Sequence, residues 1–291
     1  MAQRKKMFEA VVHGIFLLLG LITVGCVLLI TVYLIISGIP AIQKIGLVPF
    51  LTGKVWSSTS AEPKYGILPF ILTSVYGTAG AIVLGVPIGF LTAVYLSKVA
   101  PKKVRTVLEA AVSLLAGIPS VVYGFFGMIV LVPAIRNLFH LSSGACLLAA
   151  MIVLAIMILP SIINVSETAL RAVPKEYEEA SLALGAAEME TYFRVSVRAA
   201  RSGIAAAVVL GVGRAIGEAM AIILVAGNVS NMPGLFTPVR FLTTGIISGM
   251  AYASVGSLYQ QALYSIGLVL FLFIMLINVF LNVCVKNRKE G

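Results

Sequence analysis

An arginine and a glutamate stand four residues apart in an otherwise apolar stretch of the chain. They are Arg214 and Glu218, in the sequence GRAIGEAMA. Residues four apart share one face of an α-helix, where opposite charges can pair. If the stretch crosses a membrane, each charge costs at least about 2.5–3.5 kcal/mol there, so both side chains should face the bundle interior or water. A guanidinium matches the oxygens of a phosphate-like anion, which makes Arg214 a candidate anion-binding residue.

The same pair also has a structural interpretation. Glu218 could hold Arg214 in place and release it when an anion arrives, or the two residues could form an ion pair that only fixes helix packing. Gly213 and Gly217 have the small-xxx-small spacing that lets another helix approach closely. Packing and anion binding therefore both remain open at this position.

Three other polar residues lie in apolar stretches and are candidates for an anion pathway: Ser120, Tyr123 and Asn228. Pro119 lacks an N–H and so removes a helical hydrogen bond just before the two hydroxyls. Those hydroxyls could contact an anion, but satisfying the broken helix is the more ordinary role for them. Asn228, at the outer end of its stretch, is a similar case.

The sequence offers no catalytic or metal-binding set. It has no Gly-x4-Gly-Lys-Ser/Thr phosphate loop, so the chain is not expected to hydrolyse ATP. His13, His140 and the three cysteines are scattered, without metal-ligand spacing. We therefore predict no catalytic residue, no metal and no cofactor in this chain.

The composition of the chain indicates that membrane-spanning helices position these residues. Hydrophobic residues make up 60% of the chain, charged residues 11%, and the mean hydropathy is +1.06. This composition is typical of an all-α integral membrane protein, and the net charge of +10 fits basic loops on one membrane face better than nucleic-acid binding. We predict a single membrane domain over 1–291, embedded in lipid, with breaks or kinks at Pro87 and Pro119. The six predicted spans are 12–37, 67–97, 107–134, 144–165, 203–227 and 258–285.

Basic residues predict the orientation of these spans. Most of the 21 lysines and arginines fall in tails and loops that alternate to one side. The positive-inside rule then places both termini and the loop at about 166–202 in the cytoplasm, in a multi-pass protein of the cell membrane. Arg136 and Arg240 fall outside, where solvated loop charges are the more ordinary state and attraction of anions is the alternative.

The loop at about 166–202 has the pattern of two short helices joined by a glycine. Pro174 and acids at 176, 178 and 179 suit the start of a helix, and Gly185 suits its end. A second short helix is predicted from about Ala187, with Met189 and Phe193 on one side. The result would be a compact knob that fills a groove on a soluble partner, or else a surface loop that packs on its own bundle.

This loop resembles the EAA loop of the type I ABC-importer permeases. Glu179-Ala180-Ser181, three further residues, Gly185 and then Val195 follow the family pattern, with Ser181 in place of an alanine and Arg198 in place of a proline. The resemblance implies a six-helix, MetI-like bundle. It also implies that the knob docks on the ATPase subunits. The residues that it assigns to this coupling are Glu179, Ala180, Ser181, Gly185, Phe193 and Val195.

Three stretches, 117–127, 193–204 and 213–221, are similar to the phosphate-transport permeases of the PstC type. This resemblance implies uptake of inorganic phosphate. It also implies a second homologous permease, two ATPase subunits that bind the ATP, and an external phosphate-binding protein. Sulfate or molybdate as cargo is one alternative, because a single arginine does not distinguish tetrahedral oxyanions. An ion-coupled carrier or channel, and a sensor without flux, are alternatives of other classes.

Overall fold

The computed structural model describes residues 2–58 and 60–287, and the side chains of 9–58 and 60–279. The first part of the chain forms three helices and a small antiparallel hairpin, with a π-helical turn (Tyr95–Val99) continuing the third helix. In order these are α1 (Ala2–Ile45), α2 (Leu47–Thr52), β1 (Trp56–Ser57), β2 (Lys64–Tyr65) and α3 (Leu68–Val94).

The rest of the described chain is helical. Two more π-helical turns, Gly127–Leu131 and Tyr192–Ser196, continue neighbouring helices. The helices are α4 (Lys102–Gly117), α5 (Ser120–Phe126), α6 (Val132–Leu138), α7 (Leu147–Arg171), α8 (Lys175–Ala183), α9 (Glu188–Thr191), α10 (Val197–Ala199), α11 (Arg201–Gly217), α12 (Met220–Val225), α13 (Leu242–Met250) and α14 (Leu258–Asn287).

The membrane character predicted from composition is confirmed. Within 2–58 and 60–287, five helices are long and apolar enough to cross a membrane. A sixth span results if Glu188–Ala199 and Arg201–Gly217, which are bent by 73°, are counted together. Helices cover the predicted spans 12–37, 67–97, 144–165 and 258–285. The side chains of the basic terminal residues used for the orientation (4–6, 286 and 288–289) and that of Cys284 lie outside the described ones.

Two predicted spans are interrupted: the break expected at Pro119 is present, whereas the prediction of a continuous helix over 203–227 was wrong. The span at 107–134 breaks at Ile118, which is extended (φ −71°, ψ 128°) because the following Pro119 disfavours helical backbone. The span at 203–227 breaks at Glu218, also extended (φ −74°, ψ 136°), between α11 and α12. Pro87, in contrast, lies within the continuous helix α3.

Helix α7 forms the centre of the bundle and packs against α3 and α11. Its side chains Ile158 and Ile162 are fully buried. Gly85 and Gly89 of α3 leave the space that these isoleucines fill, since a Cβ at either glycine would lie 2.9 Å from them. Small residues on one helix thus let the two backbones approach closely, as membrane helices require.

Two of the segments that connect the spans carry structure that the sequence pattern did not predict. Helix α13 lies within the loop 228–257, and the hairpin β1–β2 lies within 38–66. Trp56 and Tyr65 of the hairpin pack with Phe70 in a buried aromatic cluster. These segments pack against the neighbouring ends of α3 and α14.

The two interrupted spans meet at their second halves, where α5 packs against α12. A Cβ at Gly124 would lie 2.7 Å from both the Cα and the carbonyl oxygen of Ala221. We expect Gly124→Val to force these half-helices apart and to destabilise the protein by about 1–3 kcal/mol or more. Thermal unfolding in detergent measures the effect. Gly117→Val is the matched control, because a Cβ at Gly117 meets nothing within 4 Å. Equal stability of the two variants would contradict the close contact.

Candidate functional site

Arg214 and Glu218 are not paired, in contrast to the pairing considered from their spacing. Helix α11 ends at Gly217, so Glu218 leaves the helix face that it was expected to share with Arg214. Among the described side chains, no carboxylate oxygen lies within 4.0 Å of the Arg214 guanidinium. The break in the span is the physical reason for this difference.

Arg214 is half-buried, and its hydrogen-bond partner among the described side chains is a hydroxyl. Its Nη1 donates a long hydrogen bond of 3.4 Å to Ser161 Oγ, on α7 beside Pro160. A guanidinium has five N–H donors and stays protonated under all ordinary conditions. The described residues therefore leave most of its hydrogen-bonding capacity and its whole charge uncompensated, which suits the binding of an anion.

Glu218 stabilises the break. Its Oε1 accepts a 3.0 Å hydrogen bond from the backbone N–H of Ala221 in α12, and its carbonyl oxygen accepts a 2.8 Å bond from Thr243 Oγ1. Thr243 is buried in α13. The residue predicted to control Arg214 thus joins α11, α12 and α13.

The three other candidate pathway residues have different surroundings. The Tyr123 hydroxyl donates a 2.7 Å hydrogen bond to the carbonyl oxygen of Leu115, across the break at Pro119. It thus supplies a hydrogen bond to the interrupted helix, as the more ordinary interpretation predicted. Ser120 is the first residue of α5 and is half-buried. Asn228 has φ +52° and accepts hydrogen bonds from Arg240 through both its carbonyl oxygen and Oδ1. Tyr123 and Asn228 thus have their hydrogen-bond partners in different segments of the chain.

Arg240 is not the solvated loop charge that the sequence favoured. It is half-buried, donates 2.7 and 3.1 Å hydrogen bonds to the Asn228 carbonyl, and lies 5.8 Å from the centre of the Phe70 ring. This geometry combines charge-assisted hydrogen bonds with a cation–π contact. Arg240 therefore fastens the loop 228–257 to α3.

An apolar cavity of about 390 Å³ adjoins the break at Pro119. Its lining includes Leu115, Ile118, Val122, Phe126, Val153 and Ile156. Because an unpaired anion in such surroundings would lose its hydration without gaining donors, this cavity is not suited to an oxyanion.

The loop between α7 and α11 has the predicted helix–glycine–helix arrangement. Helix α8 ends at Ala183, Gly185 has φ +87°, and α9 begins at Glu188. The loop itself is shorter than the predicted 166–202, because α7 continues to Arg171 and α11 begins at Arg201. A hydrogen bond of 2.9 Å between the hydroxyls of Ser181 and Thr191 closes α8 onto α9.

Residues of this knob divide into an outer and an inner set. Glu179, Ala180, Gly185 and Phe193 are exposed, while Ser181 and Val195 are half-buried. The exposed set includes large apolar side chains, of which Leu184 is 89% exposed. The other large apolar members are Tyr177, Leu182 and Met189. An apolar surface on a polar loop is typical of a docking site for a protein partner.

The sequence analysis missed the role of Glu178. Its carboxylate pairs with Lys98 and accepts a 2.7 Å hydrogen bond from Ser196 Oγ. Burial acts to raise the pKa of Glu178, but the hydrogen bonds from Lys98 and Ser196 outweigh it, so the pKa lies below its usual range. Three acids at 176, 178 and 179 look alike in the sequence, and only the tertiary contacts distinguish them.

Comparison with known proteins places this architecture in a family. Residues 85–288 match the family described as binding-protein-dependent transport system inner membrane component. The chain is 41% identical over 266 residues to the probable ABC transporter permease protein YqgH of Bacillus subtilis, covering 89% of this chain and 86% of the relative. It is 35% identical to the phosphate transport system permease protein PstC of Mesorhizobium japonicum, covering 78% and 75%.

A solved structure supports the fold. The inward-facing MetNI methionine ABC transporter has a chain that superposes with a TM-score of 0.60 at 21% identity, covering 76% of this chain and 95% of that one. The MetI-like helical bundle predicted from the sequence is thereby confirmed.

Removal of the Tyr123 hydroxyl tests its role at the helix break. We expect Tyr123→Phe to cost about 1 kcal/mol of stability, because the Leu115 carbonyl loses a hydrogen bond in apolar surroundings. Thermal unfolding in detergent, compared with Tyr76→Phe at an exposed position of α3, measures the loss. An unchanged melting temperature for Tyr123→Phe would contradict the role.

Proposed function

Because the chain belongs to the family of binding-protein-dependent transport system inner membrane components and is a permease of the PstC type, we propose that it imports inorganic phosphate. It is an integral membrane subunit of an ABC importer. In this proposal it forms half of the translocation pathway and has no catalytic activity of its own. The ATP is bound and hydrolysed by partner subunits.

The family implies ATPase subunits, a substrate-binding protein and a second permease as partners. We propose two ATPase subunits at the knob of α8–α10, an external phosphate-binding protein, and a homologous second permease. Both termini and the knob lie in the cytoplasm in this arrangement, as the basic residues predict. The exposed apolar side chains of the knob support its role as the ATPase docking surface.

The single observation that carries the phosphate proposal is the Arg214 guanidinium. It is half-buried in a membrane helix, holds one long hydrogen bond to Ser161, and has no carboxylate partner among the described residues. A passing phosphate would supply the missing acceptors in bidentate geometry. Ser120 lies at the start of α5, in the other interrupted span, and is the second candidate contact. Tyr123, Asn228 and Glu218, in contrast, hold the surrounding backbone.

Transport in this proposal couples ATP-driven closure of the ATPases to a swing of the spans. The closing ATPases push the knob. Helices α7 and α11 follow because the chain connects them directly to the knob, and the pathway then opens outward. The binding protein then releases phosphate towards Arg214. The helical backbone hydrogen bonds are already interrupted at Pro119 and Glu218, so the spans can bend there without breaking further bonds of that kind.

Substitution of Arg214 tests the pathway role. We expect Arg214→Gln to lower phosphate uptake about 10- to 100-fold, since hydrogen bonds to charged groups contribute about 1.5–3 kcal/mol. Uptake into proteoliposomes containing the complete complex is the measurement, and co-purified ATPase reports assembly. Arg201→Gln, at the exposed start of the same helix, is the matched control. Wild-type uptake by the Arg214 variant would contradict the assignment.

The cargo is tested by ATP hydrolysis of the complex with its binding protein, titrated with phosphate and then with sulfate. We expect stimulation by phosphate alone. Stimulation by sulfate or molybdate would support the importer assignment but with a different cargo, because a single arginine does not distinguish tetrahedral oxyanions. Uptake that persists without ATP would instead favour an ion-coupled carrier.

A matched glycine pair tests the knob. Gly185 and Gly256 have φ of +87° and +77°, and a Cβ at either meets nothing within 4 Å. Valine at either position therefore imposes a similar backbone strain, of about 1–2 kcal/mol or more. We expect Gly185→Val to abolish ATP-dependent uptake with normal membrane insertion, and Gly256→Val, in the outer loop, to retain most of it. Equal uptake by the two variants would argue against coupling through the knob.

A further inference from the structure

Glu178 faces inward from α8, away from the exposed side of the knob. The side chains of Lys98 and Glu178 are only 10% and 19% exposed, and they form an ion pair between elements 80 residues apart in the sequence. Ser196, which is fully buried, donates a 2.7 Å hydrogen bond to the same carboxylate oxygen. Glu178 therefore has its partners inside the protein, whereas its neighbour Glu179 is exposed.

The two partners of Glu178 belong to different segments of the chain. Lys98 lies in the π-helical turn that follows α3. Arg105 holds this turn, because its Nε donates a 2.8 Å hydrogen bond to the Leu96 carbonyl oxygen. Ser196 ends the π-helical turn that leads through α10 into α11. A single carboxylate thus connects α8 to the end of α3 and, within the knob, to the turn that leads into the helix carrying Arg214.

We propose that Glu178, with Lys98 and Ser196, is the connection through which displacement of the knob moves α3 and α11 together. This inference rests on the proposed function and deepens it by assigning positioning residues to the coupling step. Glu179 and the exposed apolar side chains of the knob, such as Leu184, contact the ATPase, and Glu178 passes the movement inward. Without the connection, the knob would still dock, but its displacement would no longer be shared with α3.

The charges around Glu178 support this role. The carboxylate is held ionised by Lys98 and Ser196, with Lys175 contributing at longer range. When one partner of a shielded ion pair is removed, the other is left without compensation, so the contact is sensitive to single substitutions. Exchanging the two charges between positions 98 and 178 should restore the ion pair.

The test uses the complete complex in proteoliposomes and measures phosphate taken up per ATP hydrolysed. We expect Glu178→Gln and Lys98→Met to keep the ATPase subunits bound and ATP hydrolysis within about twofold of wild type, while uptake per ATP falls about tenfold or more. Ser196→Ala, which preserves both charges, should lower the ratio less. The exchange Lys98→Glu with Glu178→Lys should restore much of it. Glu176→Gln, on the exposed side of α8, is the matched control and should match wild type.

Two results would overturn the inference. One is a wild-type ratio of uptake to hydrolysis in Glu178→Gln. The other is loss of the ATPase subunits from Glu178→Gln with no recovery in the charge exchange, which would make Glu178 part of the docking surface. Failure of the proposed function is distinguishable, because the wild-type complex and Glu176→Gln would then also show no ATP-driven phosphate uptake.

Discussion

The structure depends on one constraint: a backbone inside a membrane must satisfy its hydrogen bonds without water. Each interrupted span meets the constraint with a side chain. At Pro119 the Tyr123 hydroxyl reaches back to the Leu115 carbonyl, and at Glu218 the carboxylate accepts the Ala221 N–H while Thr243 donates to the Glu218 carbonyl. Polar residues that resemble ligands in the sequence are thus partly used by the fold itself.

This constraint also explains why Arg214 stands apart from the other polar residues of the spans. Arg240 has backbone and side-chain oxygens of Asn228 around its guanidinium, and Arg171 pairs with Glu109 and Glu167. Arg214 has only the Ser161 hydroxyl among the described residues. A cation held in a bundle without a counter-charge is costly, and an anionic cargo is the simplest compensation.

The sequence was sufficient for the features that follow from local chemistry. Apolar runs gave most spans, and Pro119 predicted the first break because proline cannot complete a helical ladder. The second break has no proline, and the spacing of Arg214 and Glu218 favoured a continuous helix, so that prediction failed. Which of the adjacent acids Glu178 and Glu179 turns inward depends on Lys98, which is distant in sequence. Periodicity along one segment does not contain that information.

The contact between Gly124 and Ala221 has a mechanical consequence. Where one backbone has no side chain to separate it from the next, the segments cannot slide past each other without a clash, so α5 and α12 behave as one rigid body. The interruptions at Pro119 and Glu218 then lie at the same end of this body, since each immediately precedes one of its helices. A movement of α5 and α12 as a unit would therefore bend both interrupted spans together.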